Sequence, residues 1–181
     1  RGYRIFIKKN YKILIIVLTI VIFILFLLSI KTNPKVLKCS IDKDLVSGIH
    51  LTDNIKINLN KGKIKNIKQD KSIELKDDYL KYDTYKNIME MHLKSSYEYL
   101  DKKNYDVKTN NNIVSVKANI DTKGLILNNL IVEQSNKDNK YDLKINTENS
   151  FENAERKIMI DEEYKYNSLK KYMEESGYKC K

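Results

Sequence analysis

Apolar and polar residues alternate differently in successive parts of this chain, and each rhythm predicts a different element. Residues 13–30, ILIIVLTIVIFILFLLSI, carry no charge and only Thr19 and Ser29 as polar breaks. A helix rising about 1.5 Å per residue over that length matches the hydrocarbon core of a bilayer, so the run predicts a transmembrane helix. A cleaved signal is the rival reading, but its apolar region is about 7 to 15 residues and ends at a small-residue site. Here KTNPKVLKC follows, with no A-x-A. TNP at 32–34 ends the helix, because proline lacks a backbone donor and restricts the residue before it.

The period then drops to two. VLKCSI, SGIHLTDNIKINL and KIKNIKQDKSIEL alternate, most clearly at Ile55, Ile57 and Leu59, then at Ile64, Ile73 and Leu75, with NKG at 60–62 as the turn of a hairpin. From Asp77 the spacing lengthens to three and four: Tyr82, Tyr85, Met89, Leu93, Tyr97 and Leu100 mark one stripe of a helix running to about Lys103. YDVKT and IVSVKANI flank Asn110–Asn112 as a second hairpin. GLILNNLIVEQ fits neither period, so strand and short helix both remain open. SNKDNK at 135–140 predicts a turn and YDLKIN a strand. A closing helix starts with Asn149 as cap and Glu152 three residues on, and runs through Leu169 and Met173 to Ser176, with a break near Asp161 left open, before Gly177 stops it. The expected fold class is α+β: an N-terminal transmembrane helix, then an antiparallel β-sheet domain with one long helix packed on it and a C-terminal helix.

Charge orients the span. Arg1, Arg4, Lys8, Lys9 and Lys12 precede it without an acid, so the positive-inside rule places residues 1–12 in the cytoplasm and residues beyond 30 outside the cell. Residues 31–38 form a linker, and 39–181 form one extracytoplasmic domain, since about 150 residues suffice for a single core. The expected location is the cell membrane, crossed once, with the bilayer itself as a partner of residues 13–30. The formal charge is +10. Beyond the span the lysines are interspersed with acids, which favours a compositional origin over a site for anionic lipid head groups or wall polymers.

Signatures of chemistry are sparse. His50 and His92 read as structural histidines. Ser168 and Lys171 have the S-x-x-K spacing of penicillin-binding enzymes without that family's other elements. Asp42 with Asp44, Asp77 with Asp78, and residues 161–163 read as turns or helix caps, none with EF-hand spacing. With five glycines there is no phosphate-cradling loop, and no metal or cofactor is expected. Dispersed charge and the absence of a known motif argue against nucleic acid. The thirteen tyrosines are more suggestive: Tyr79, Tyr82, Tyr85, Tyr97 and Tyr99 crowd one helix, and those not needed in the core form a candidate binding face for glycans or a protein.

A cysteine before a hairpin, a long helix, a second hairpin, and the ending SLKKYMEESGYKCK resemble the YehR-type family of small uncharacterised extracytoplasmic lipoproteins, and anchored proteins of low-GC Gram-positive bacteria that end in G-Y/F-x-C-K. The resemblance covers most of 39–181 and implies an antiparallel sheet with a packed helix, but no activity. The chain departs from lipoproteins at VLKC, where Lys38 occupies the small-residue position that lipidation requires. Cys39 and Cys180, the only cysteines, then stand as a candidate disulfide between the first external strand and the last. Two free thiols or a link between chains are the alternatives; neither cysteine has a C-x-x-C partner for a metal. The function expected is that of a non-enzymatic, membrane-anchored module binding a protein or cell-wall partner, with a cell-envelope enzyme of unrecognised site as the alternative.

Overall fold

The computed structural model describes residues 11, 13–26, 34–46, 48–76, 83–127, 130–137, 140–147, 151 and 154–181. The chain divides into two compact units, Arg1–Pro34 and Lys35–Lys181.

In the first unit, residues 13–26 are helical and exposed throughout. At about 1.5 Å per residue they extend roughly 21 Å, short of the ~30 Å hydrocarbon core. No helix among the described residues is long and apolar enough to cross a membrane. This corrects the expected span of 13–30, whose last four residues lie outside the described ones. The single-pass topology falls with it, along with the assignment of 1–12 to the cytoplasm and the rest to the exterior.

The second unit is predominantly antiparallel sheet. Strands β1 (Lys35–Val46), β2 (Ile49–Asn60) and β3 (Lys63–Leu75) form a meander. Lys61 (φ 52°) and Gly62 (φ 82°) both take left-handed backbone at the β2–β3 turn, as tight hairpins require. Helix α1 (Asp83–Tyr97) and a 3-10 turn (Lys102–Asn104) lead into β4 (Tyr105–Asn110) and β5 (Ile113–Ile120). Two strands lie within the open GLILNNLIVEQ stretch, β6 (Gly124–Ile126) and the start of β7 (Leu130–Lys137), and β8 (Lys140–Thr147) follows. Then come β9 (Lys157–Met159), helix α2 (Tyr166–Glu175) and β10 (Lys179–Cys180). Six strands join in the order β10-β1-β2-β3-β5-β4, while β6 pairs with β9 and β7 with β8.

The closing helix expected from Asn149 onward is shorter than its caps suggested. Asn149 and Glu152 lie outside the described residues, and Lys157–Met159 is a strand whose central Ile158 is fully buried against β6. Among the described residues of this segment only Tyr166–Glu175 is helical, held by buried Leu169 and Met173. α1 likewise stops at Tyr97 rather than near Lys103, and residues 77–82 lie outside the description.

Alternation assigns the faces of the main sheet. Leu37, Cys39 and Ile41 on β1, odd-numbered Ile49 to Leu59 on β2, and Val114 to Ile120 on β5 point inward and are buried. On β3 the spacing from Ile64 to Ile67 is three, out of phase for a strand; a register shift beside Asn58 absorbs the extra residue and keeps both inside. α1 covers this inner face through Met89, Leu93 and Tyr97, and α2 through Leu169 and Met173. The outer face carries the even-numbered residues of β1 and β2.

Candidate polyanion-binding face

The inner face holds a group of polar residues in strand positions that should be apolar. Asp53 is in phase with Leu51 and Ile55, and Gln69 and Lys71 are in phase with Ile67 and Ile73; each is at most 4% exposed. Asp53 lies directly across from Lys71 in the β2–β3 register. Gln69 Nε2 donates to both Asp53 carboxylate oxygens at 2.9 Å, and Tyr178 OH donates to Oδ2 at 2.8 Å. Tyr97 OH, from α1, donates to Gln69 Oε1 at 2.6 Å. Burial pushes the Asp53 carboxyl up and the Lys71 ammonium down, each opposed by the other's charge. Burial and the Asp53 charge push the Tyr97 hydroxyl well up. With all five side chains sealed from solvent, the cluster has no room to meet a substrate. It cross-links two strands, α1 and the C-terminal segment.

The outer face is different. A shallow, open cleft of about 960 Å³ runs across it, lined by seven lysines and two aspartates. Its floor is three successive cross-strand rows. In one row Lys38 pairs with Lys56, Lys56 with Lys68, and Lys68 with Asn119. Lys181 extends this row beyond β1, since Lys181 N donates to Lys38 O at 2.8 Å and Lys38 N donates back to Lys181 O at 3.2 Å. Four ammonium-bearing residues therefore stand on adjacent strands about 4.8 Å apart. Like charges directly opposite in a sheet are destabilising. Lys38, Lys56 and Lys68 are exposed, and none forms an ion pair among the described residues.

The middle row, Cys39, Ile55, Gln69, Ala118 and Tyr105, is in phase with the inner face, and its residues also line the cleft. The third row is Lys179, Ser40, Asn54, Asp70, Lys117 and Asp106. Here the acids are matched: Lys117 Nζ is 3.6 Å from Asp70, and Lys108 Nζ is 2.8 Å from Asp106. Excess positive charge thus concentrates on the Lys181–Lys38–Lys56–Lys68 row.

Cys39 and Cys180 form a disulfide and sit opposite each other in the β1–β10 register. Of the tyrosines expected on a binding face, Tyr79 and Tyr82 lie outside the described residues. Tyr97 is buried in the polar cluster. Tyr85 and Tyr99 pack against the core, with Tyr99 OH donating to Gly124 O at 2.7 Å. His50 is held between Asp42 (3.0 Å) and Asp44 (2.8 Å), and its hydrogen bond lowers the Asp44 carboxyl. Ser168 and Lys171 are exposed on α2, where Lys171 Nζ approaches Glu175 at 3.6 Å. Neither the buried cluster nor the lysine row is visible as a sequence motif. The available signal for the first was a charge at an in-phase strand position; for the second there was none without the register.

No family model, no curated protein and no solved structure matches this chain.

Proposed function

We propose that this protein is a non-enzymatic binding module whose ligand is a multivalent anion held on the outer face of the six-stranded sheet. The observation that carries this reading is the row of adjacent lysines lacking acids, since a sheet left with that repulsion gains stability from an anion that neutralises it. Lysine ammoniums are strongly hydrated point charges suited to phosphate or carboxylate without fixed geometry. Binding that neutralises three or four lysines weakens log-linearly with salt, with a slope of roughly 3 on a polyanion.

The test is binding of fluorescent inorganic polyphosphate at 50 mM and 200 mM salt. Replacing Lys38, Lys56 and Lys68 together by Ser is expected to lower affinity at least tenfold and to flatten the salt slope by about three. Replacing exposed Lys43, Lys65 and Lys165 by Ser changes net charge equally and is expected to cost less than threefold. Equal losses in the two triple variants, or no binding by the unaltered protein, would overturn the proposal.

A further inference from the structure

The lysine row has neighbours that narrow the ligand. On one side stand Asn58 and Asn66, paired across β2 and β3; on the other stand Ser40 and Asn54, paired across β1 and β2. On β2 the strip of charge is therefore flanked on both sides by neutral carboxamides, Asn54 and Asn58, while on β3 Asp70, ion-paired with Lys117, stands beside Lys68. Asn58 Nδ2 donates to Asn66 Oδ1 at 2.5 Å, and Asn66 Nδ2 donates to Asn119 Oδ1 at 3.1 Å, so a connected amide chain runs from this flank to Asn119, opposite Lys68 at the β5 end of the lysine row. That chain aligns the amides and leaves Asn58 Oδ1 and the Asn119 amide nitrogen as its free ends. Asn54, exposed beside Lys56, presents a carboxamide that both donates and accepts.

No aromatic side chain lies among the outward residues of these rows; Tyr105, in the middle row, faces inward and stacks on Tyr97 with ring centroids 6.1 Å apart. Single-stranded nucleic acids rely on such rings for base stacking, and nucleobase readout uses arginine and paired amides in a groove. A bare polyanion uses the lysines and ignores the amides. A polyhydroxylated polyanion uses both, because hydroxyls donate to and accept from carboxamides while the charges meet the ammoniums.

Resting on the polyanion-binding reading above, we infer that the ligand is a hydroxyl-rich anionic polymer, an acidic sugar or polyol-phosphate chain. It lies across the strands, with its charges on Lys181, Lys38, Lys56 and Lys68 and its hydroxyls on Asn54 and the Asn58–Asn66–Asn119 chain. The four lysines span about 14 Å at the usual strand spacing, so several repeats of such a chain are engaged at once.

The experiment compares four polymers of matched charge on the full chain: polygalacturonate and poly(glycerol phosphate), which carry hydroxyls, against polyacrylate and inorganic polyphosphate, which do not. One or two net amide–hydroxyl hydrogen bonds predict roughly tenfold tighter binding of at least one hydroxylated polymer than of its bare counterpart. Whichever hydroxylated polymer shows the preference identifies the anionic group. Asn54→Ala combined with Asn66→Ala is expected to reduce that preference to about twofold, with an unchanged thermal midpoint showing that the fold is intact. Equal affinity for hydroxylated and bare polymers overturns the inference while leaving the polyanion reading in place, as does a preference that survives the double substitution. Tighter binding of a single-stranded nucleic acid of matched charge also overturns it. No binding of any polymer overturns both readings.

Discussion

Asp53 and Lys71 illustrate how a residue's energy depends on its neighbour across the sheet. Each is buried beside the other, and desolvation disfavours both charges. Breaking a buried pair by removing one partner costs about 3–5 kcal/mol, because the remaining charge is left uncompensated. Lys71→Met is therefore expected to be strongly destabilising at pH 7. With Lys71 absent, desolvation raises the Asp53 carboxyl further above its unfolded value of 3.8. A raised folded-state value means stability present below the unfolded one and lost as pH rises through the folded one. The deficit of the variant relative to the unaltered protein should thus shrink between pH 7 and pH 4 in urea midpoints; a constant deficit would show that Asp53 is not the charge involved.

Tyrosines give the opposite limit of the pH range. Burial raises Tyr97 and Tyr99 above the ordinary 10, and raises Tyr164, half-buried beside Glu162, to about 12. Folded tyrosines therefore keep protons that unfolded ones lose, and stability present below pH 10 should decline as pH rises toward 12. Lys71, lowered in the fold, contributes the opposite slope, but only up to its unfolded value near 10.5. Urea midpoints between pH 9 and 11.5 should fall above pH 10, and fall less steeply in Tyr99→Phe.

At the scale of elements, two glycines separate backbone conformation from packing. Gly124 begins β6 with φ 152°, and a Cβ there would lie 1.8 Å from Ile158 O in the partner strand β9. Gly177 ends α2 with φ 91° and nothing within 4 Å of an added Cβ. Gly177→Ala should cost about 1 kcal/mol through left-handed strain alone. Gly124→Ala must also push β6 and β9 apart, and should cost several times more, with hydrogen exchange accelerated at Leu125 and Ile158. Equal melting points for the two variants would contradict the packing argument.

Elements with a strong period were legible in the sequence. Ile55, Ile57 and Leu59 mark β2 because a pleated strand turns alternate side chains to one face whatever it pairs with. Gly177 marks the end of α2 for an equally local reason. The expected closing helix failed near Ile158 because its cap residues carry local preference only, whereas burial of Ile158 beside β6 is a tertiary gain. The apolar run at 13–30 was the strongest local signal of all, yet its described helical part is too short to cross a bilayer.

For the whole molecule, the Cys39–Cys180 disulfide, with a sequence separation of 141, is the covalent tie between the first strand of the sheet and the last. It fastens the two-residue β10 to β1, and through Tyr178 it holds the C-terminal segment over Asp53. A loop of that size is expected to contribute about 2–5 kcal/mol, mainly by restricting the unfolded chain. Cys39→Ala with Cys180→Ala should lower the thermal midpoint by roughly 10 °C in a unit of this size. Because Lys179 of β10 and Lys181 just after it are held beside β1 by this bond, the same variant should also weaken polyphosphate binding; a midpoint unmoved by the double substitution would mean that the bond does not restrain the fold.

By itself the sequence determined the alternation of β1 to β5, the tight turn at Lys61 and Gly62, the stripe of α1 and the identity of the two cysteines, since each depends on residues within a few positions of one another. The tertiary structure decided which faces meet. Lys38, Lys56, Lys68 and Lys181 look dispersed along the chain, and only the register places them on neighbouring strands. That register is fixed by burying Leu37, Ile57 and Ile67 together at the core, a gain summed over distant segments. A charge row on the opposite face follows from the same pairing.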